Sequence, residues 1–466
     1  MQKFYVTTPI YYVNDVPHIG HAYTTLAADI ITRYYKTRLG KDNVFFLTGT
    51  DEHGQKVAQA AEENKQTPKE YADSVAPRFQ EAWKLLNIEY DYFIRTTDPR
   101  HEKVVTNLLS KIYKNGYIYK GVYEGLYCIG CEKFLTDSEL VNGRCPLHPN
   151  KKPVYQKEEN YFLKLRDLSK EVLQKIKNKE YKIKPEKRRH EVLSRLELGV
   201  EDISISRAGV PWGIPVPWDK SQTAYVWIDA LINYFSATQF LKGKEKFWPA
   251  DLHLVGKDIL WFHTVIWQGL LIAAEIDLPK VIFAHGFFTI DGQKMSKSLG
   301  NVITPKQLAD RYGVDGARYL VISAYPFGGD GDISFSRFDE KYNADLANGL
   351  GNLVARVAKM AEPLTFPKKD YDISVNTGTA VQLLYFEGAL KEIWDKIKEA
   401  DIFINKRGVW NLKGKQKEAA LANLVDRIRQ IAYDLKPFLP ETAEKIEKQF
   451  KGQKISSEAP LFPHLK

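Results

Sequence analysis

The alternation of apolar and polar positions divides the chain into regular elements before any chemistry is considered. Phe4 to Thr8 predicts a buried strand, and a turn containing Pro, Asn and Asp follows through Pro17. From about His21 to Leu39 the apolar residues Ala22, Leu26, Ile30 and Tyr34 recur on one face, predicting a helix with Gly40 as its C-terminal cap. Val44 to Leu47 predicts a second strand that runs into Gly49-Thr50-Asp51-Glu52-His53-Gly54. Thr67-Pro68-Lys69-Glu70 is a capping box with proline at the first helical position, so another helix begins there. Strand, helix, strand, helix in this order implies a parallel sheet with crossover helices.

Between about Gly116 and Pro217 the pattern changes to short aromatic strands, all three cysteines and the basic stretch Lys182 to Arg189. Leu252–Gly256 and Val281–His285 are again β-rich runs separated by a helix, so the simplest account is one doubly wound α/β domain interrupted by an inserted module. Beyond Lys341 the strand signals stop. Leu346, Leu350, Leu353, Val357 and Met360 recur at helical spacing, as do apolar positions from Leu421 to Leu439, predicting a helical bundle.

Composition bounds the possibilities. At 466 residues the chain exceeds the roughly 250–300 residues over which a single core keeps growing, so at least two domains are expected. The 44% hydrophobic and 27% charged content is that of a globular protein, and no apolar run approaches the roughly 20 residues that cross a bilayer. Met1-Gln2-Lys3-Phe4 opens directly as a strand without a leader, which predicts a cytoplasmic protein. Lys and Arg (67) exceed Asp and Glu (58), a net +9 that permits a polyanionic partner without demanding one.

Three cysteines cannot build a disulfide framework, but their spacing is informative. Cys128-x-x-Cys131 is followed, after 13 residues, by Cys145-x-x-His148. Two pairs on tight turns form a tetrahedral zinc pattern, and four protein ligands leave no open position, so one structural Zn²⁺ is expected.

Pro17-His18-Ile19-Gly20-His21 lies between the first strand and its helix, where a helix N-terminus favours phosphate. Alone, two histidines beside a turn are more often structural. Lys294-Met295-Ser296-Lys297-Ser298 follows the last strand of the α/β domain; alone, it would be a solvated basic loop. Together, HxGH and KMSKS in this order resemble the signatures of class I aminoacyl-tRNA synthetases. Thr8-Pro9-Ile10-Tyr11-Tyr12-Val13-Asn14, Gly49–Gly54, Tyr225-Val226-Trp227-Ile228-Asp229-Ala230 and Val255-Gly256-Lys257-Asp258-Ile259 with Phe262-His263 resemble the methionine-specific family, over essentially the whole chain.

That resemblance implies a Rossmann-like catalytic domain in two halves (1–115 and 218–290), a zinc-bearing connective module (116–217), a KMSKS loop and linking region (291–345) and an all-α anticodon-binding bundle (346–466). It implies that His18, His21, Lys294 and Lys297 act on ATP, with Gly20, Gly256, Asp258 and Ser296 helping to bind it as its Mg²⁺ complex. Ile10, Tyr12, Trp227, Ala230, Leu231, Tyr234 and His263 would line a methionine pocket, and aromatic faces suit a thioether. Asp51 would bind the substrate ammonium, with Arg207 nearby. Asn352, Arg356 and Trp410 would read a CAU anticodon, while the acceptor end of the tRNA receives the amino acid. The family's further C-terminal domain is not seen, so a monomer is expected, with a separate tRNA-binding or dimerising subunit as the alternative. Other readings weighed are a different class I synthetase, a shorter HxGH nucleotidyltransferase and a non-catalytic tRNA-binding protein.

Overall fold

The computed structural model describes residues 2–465 apart from 15, 131–132, 136–139, 147, 151 and 296–299. In chain order its elements are β1 (Phe4–Tyr12), α1 (Ile19–Leu39), β2 (Val44–Asp51), α2 (Gln55–Glu63), α3 (Pro68–Leu85), β3 (Tyr92–Arg95), α4 (Pro99–Lys114), β4 (Ile118–Cys128), β5 (Lys133–Leu135), β6 (Val154–Leu163), α5 (Leu165–Lys177), β7 (Lys182–Lys184) and α6 (Glu186–Glu197). There follow four short strands, β8 (Ile203–Ser204), β9 (Ser206–Arg207), β10 (Pro215–Val216) and β11 (Asp219–Ala224), then α7 (Val226–Phe240), β12 (Leu252–Gly256), α8 (Trp267–Ala273) and β13 (Val281–His285). The remainder holds β14 (Phe288–Ile290), β15 (Gln293–Lys294), α9 (Pro305–Ile322), β16 (Gly331–Ile333), α10 (Phe335–Lys341), α11 (Asn352–Ala361), α12 (Val375–Gln382), α13 (Phe386–Arg407), α14 (Gly414–Leu435) and α15 (Pro440–Phe450).

These elements gather into two compact units. The first comprises Met1–Val16, Phe45–Glu81 and Tyr90–His285; the second comprises Pro17–Val44, Ala82–Glu89 and Gly286–Lys466. The first unit is built on a six-stranded sheet of order β3-β2-β1-β12-β13-β7, and the pairs β2/β3, β1/β12, β12/β13 and β13/β7 are parallel. β2 is buried along its whole length, which explains its unbroken Val-Phe-Phe-Leu opening: a strand covered on both faces needs no polar alternation. Gly49 sits where a Cβ would lie 2.0 Å from the Ile94 carbonyl oxygen, so the close approach of β3 requires glycine. β4 and β6 form a long antiparallel pair flanked by β5 and β8.

β12 and β13 occupy the predicted residues. β1 and β2 run further than expected, to Tyr12 and Asp51, and α1 begins at Ile19. Gly40 ends α1 at φ +82° as predicted, and the Thr67/Glu70 box opens α3, with Thr67 N–H donating to Glu70 Oε2 at 2.9 Å. Lys182–Lys184, within the stretch expected to be inserted, is instead the edge strand of the main sheet, paired with Val281–Phe283.

In the second unit β14, β15 and β16 form a small sheet, and from Tyr342 onward the described residues are mostly helical. Leu346, Leu350, Leu353 and Val357 are buried there, as their spacing predicted. Among the described residues no helix is long and apolar enough to cross a membrane.

Candidate active site

In an open parallel sheet, ligands bind beyond the carboxyl ends of the strands where the strand order reverses. In the first unit that point lies between β1 and β12, which lead away in opposite directions. The residues at these ends are those singled out from the sequence: Tyr12 ends β1, Asp51 ends β2 and Gly256 ends β12. The backbone N–H of Val13 donates to the Asp51 carbonyl at 3.2 Å, so the ends of β1 and β2 are tied together. Asp258 follows in a short 3₁₀ turn and is exposed.

Beside these ends lies an aromatic wall. Trp227 is half-buried and stacks on Phe262, with ring centroids 4.2 Å apart and planes 17° apart. Ile10, Tyr12 and Trp227 pack as partly buried residues on the same core as Leu231 and Tyr234, while Ala230 is buried on the same helix. Tyr234 and His263 meet at 2.7 Å between phenol oxygen and Nε2. The proton positions follow from the partners. His263 Nδ1 faces the Ile259 carbonyl at 2.9 Å and must donate to it. Burial lowers the His263 pKa to about 4, so the ring is neutral and its Nε2 accepts from the Tyr234 hydroxyl.

His253, not singled out from the sequence, lies under the same wall, its ring 4.5 Å from that of Tyr234. Trp267 N–H donates to His253 Nε2 at 3.4 Å, so the Nδ1 proton faces Thr7 Oγ1 at 2.7 Å. Burial, then the neighbouring His263, hold its pKa well below the ordinary value. A histidine inside an apolar strand reads as a core position; only its partners from β1 and α8 reveal a polar network. Tyr234 is thus fixed by neutral groups, its phenol held well above the usual range by burial, with Tyr11 and the Asp51 carboxylate acting in the same direction. Asp51 is therefore an electrostatic neighbour of the aromatic wall. Arg207 is buried with its guanidinium 3.9 Å over the Tyr225 ring, and it donates to Ser204 Oγ and the Ser206 carbonyl.

In the second unit, His18 caps α1. Its Nδ1 accepts from Gly20 N–H at 3.1 Å, and the His18 backbone N–H donates to His21 Nδ1 at 3.4 Å. The two rings stack at 3.7 Å, an arrangement that two imidazolium charges would oppose. Burial, then His18, hold the His21 pKa well below its ordinary value. A Cβ on Gly20 would lie 3.0 Å from His18 Cε1 and 3.6 Å from Met295 Cε, so glycine leaves room for the ring and the HxGH turn abuts the KMSKS methionine. The backbone N–H of Ile19 also donates to the Ile303 carbonyl at 2.8 Å, just after that motif. The backbone of Lys294 ends β15, whereas Ser296 and Lys297 lie outside the described residues.

Cys128 ends β4, and its Sγ lies 3.8 Å from His148 Nδ1; Cys145 Sγ is also 3.8 Å from that nitrogen. The three donor atoms fall within 4.8 Å of one another, as shared ligation of one ion requires. A Cβ on Gly130 would lie 2.5 Å from the His148 ring, so glycine lets the imidazole in. Cys131 lies outside the described residues. In the helical region, Asn352 opens α11 and is exposed, while Arg356 one turn on donates to Asp401 and, at 3.0 Å, to Asn405 Oδ1. Trp410 is 50% exposed in a 3₁₀ turn, far more open than a core indole.

The chain is similar to known proteins over most of its length. Residues 4–152 and 147–358 match the family model described as tRNA synthetases class I (M). The chain is 43% identical to the methionine–tRNA ligase of Caldanaerobacter subterraneus subsp. tengcongensis, over 96% of this chain and 74% of that protein. It is 40% identical to that of Nostoc sp., over 96% and 90% respectively. The Mycobacterium tuberculosis methionyl-tRNA synthetase solved with methionyl-adenylate superposes with a TM-score of 0.91 at 33% identity, covering 99% of this chain and all of that one.

Proposed function

Because the chain belongs to the methionyl-tRNA synthetase family of class I tRNA synthetases, we infer that the residues described above carry out the two steps of methionine charging. A methionine carboxylate oxygen attacks the α-phosphorus of ATP, the bond to the β-bridging oxygen breaks, and methionyl-adenylate and pyrophosphate form. A ribose hydroxyl of the terminal adenosine of tRNA(Met) then attacks the adenylate carbonyl, and AMP leaves.

The observation that carries the methionine assignment is the hydrogen-bonded Tyr234–His263 pair in the aromatic wall, with Asp51 at the carboxyl end of β2. A carboxylate suits the substrate ammonium, and an aromatic wall whose polar atoms are already satisfied suits a thioether. Ile10, Tyr12, Trp227, Ala230 and Leu231 complete that wall. No charged side chain has to be desolvated when the methyl-sulfur end enters, because His263 is neutral.

His18 and His21 donate to the α-phosphate as charge grows there, and Gly20 allows the nucleotide close to the backbone. Lys294 and Lys297, with Ser296, draw off pyrophosphate, while Mg²⁺ travels with the phosphates. Gly256 and Asp258 hold the ATP ribose. Asn352, Arg356 and Trp410 read the CAU anticodon, Trp410 by stacking on an unpaired base. Cys128, Cys145 and His148 fit a structural Zn²⁺, with Cys131 as fourth ligand, which would lock the turn after β4. The reaction draws on cytoplasmic tRNA and ATP, and the cytoplasm is where we place the protein.

Replacing Lys297 by Ala tests the division of labour. Single-turnover kinetics should show adenylate formation slowed by about a hundredfold or more, with methionine affinity changed far less. An unchanged rate would remove Lys297 from the mechanism.

A further inference from the structure

Asp229 lies in the first turn of α7, almost completely buried, and is gripped from two directions. His53, two residues beyond the end of β2, places Nδ1 2.7 Å from Asp229 Oδ2. His101, on α4, places Nε2 2.7 Å from Asp229 Oδ1. A carboxylate only accepts, so both imidazoles donate to it. The other nitrogen of His101 reaches a second point on α7, Ser236 Oγ, also at 2.7 Å. Both rings are buried, and His53 is closed off further by the edge of Trp212, at 5.2 Å between centroids.

The positions of these anchors along α7 are informative. At about 3.6 residues per turn, Trp227, Ala230, Leu231 and Tyr234 share one face, and Asp229 and Ser236 lie on the opposite one. The wall side of α7 is thus unconstrained by hydrogen bonds to the anchors, while its back is pinned at two heights to α4 and once to the segment after β2. That same segment follows directly on Asp51, the last residue of β2. An apolar contact would hold α7 at least as cheaply, because burying charges costs more than burying hydrocarbon of similar volume. What the polar clamp adds is a fixed distance and direction.

We propose that His53 and His101 are positioning residues for methionine recognition: through Asp229 and Ser236 they set the gap between Asp51 and the face of α7 bearing Tyr234, and so the length of amino-acid side chain that fits. The inference rests on the assignment of Asp51 and that face to the methionine pocket. The clamp touches neither substrate nor reacting atoms, so its loss loosens methionine fit without altering ATP handling.

The test uses the full chain in pyrophosphate exchange, with methionine, the one-carbon-longer ethionine and ATP each varied. His101→Phe keeps a ring but removes both nitrogens; His101→Gln restores a donor near the Nε2 position. The clamp predicts that His101→Phe raises the methionine KM about tenfold or more and narrows the preference over ethionine, with kcat and the ATP KM within about twofold of wild type. His101→Gln should recover most of the methionine KM. A folded His101→Phe protein with wild-type methionine KM, or with methionine and ATP KM rising together, overturns the clamp. If His101→Phe does not fold, Ser236→Ala removes only the second anchor: a raised methionine KM at constant ATP KM supports the clamp, and an unchanged one overturns it. Wild-type protein without methionine-dependent exchange would instead overturn the activity assignment, and the clamp with it.

Discussion

Asp229 in the first unit and Asp29 in the second are both almost fully buried carboxylates, yet they are held by different chemistry. Asp29 accepts from Arg318 at 2.7 Å, from Arg33 at 2.8 Å and from the Glu89 backbone N–H at 2.8 Å. Arg318 spends its other donors on the carbonyls of Leu86, Asn87, Pro437 and Phe438, joining α1 and α9 to the turns before Tyr90 and before α15. Burial, the largest single influence, opposes ionisation of Asp29, but Arg318, Arg33 and the Glu89 N–H together hold the carboxyl below its ordinary value. Asp229 is likewise penalised by burial and rescued by His53 and His101. A guanidinium never titrates in the working range, whereas an imidazole does. The second unit is thus braced by a node indifferent to pH near neutrality; the first carries, behind its aromatic wall, a node built on imidazoles.

The comparison breaks most sharply at Arg318. Arg318→Met removes the Arg318 donor from Asp29 and from four carbonyls, and denaturant titration should show a loss of about 3–5 kcal/mol. Lysine cannot reproduce the forked geometry, so Arg318→Lys should recover little. A variant as stable as wild type would refute the bracing role. The effect at the methionine wall should be smaller. Tyr234→Phe leaves His263 Nε2 without its donor, a cost of about 1–3 kcal/mol. It should appear as a methionine KM raised about tenfold or more, with the ATP KM steady.

The smallest effect distinguishes the nodes by pH. Burial, the largest single influence, lowers the His53 pKa, but Asp229, Glu102 and Glu52 together leave it above the ordinary 6.5. A group with a raised folded pKa stabilises fully below its unfolded value and loses that contribution as pH rises through the folded value. Unfolding free energy should therefore decline above neutrality by up to about 1.4 kcal/mol per unit of pKa shift, and His53→Gln should flatten the decline. For Asp29, with a lowered folded pKa, the sign is opposite: its contribution is present above the ordinary 3.8 and is lost only as pH falls through the folded value. Denaturation profiles of wild type and His53→Gln that coincide from about pH 6 to 9 would show that the imidazole node does not titrate.

How much of this was legible in the sequence depends on the range of the interaction. β12 and β13 were readable because each is a short apolar run between turns, and α1 and α3 because their caps are local. The ends of β1 and β2 were not: Pro9 interrupts the strand signal in β1, and in β2 Thr48, Gly49 and Thr50 read as a turn but pair with β3. Lys182–Lys184 buries only Ile183 and reads as a basic loop; its backbone bonds to β13 make it a strand. The functional motifs were visible since their residues are consecutive. The nodes were not: Arg318 and Asp29 are 289 positions apart, and His53 and Asp229 are 176 apart. No periodicity marks such partners, and the methionine wall was named residue by residue from resemblance while His253, its support, was missed.

Asp51 and the Tyr234–His263 wall are proposed to select methionine for activation by ATP. Pyrophosphate exchange into ATP, run on the purified chain with each of the twenty amino acids in turn, tests it most directly. Exchange is expected with methionine alone. Equal or greater exchange with another amino acid, or none with methionine, would contradict it.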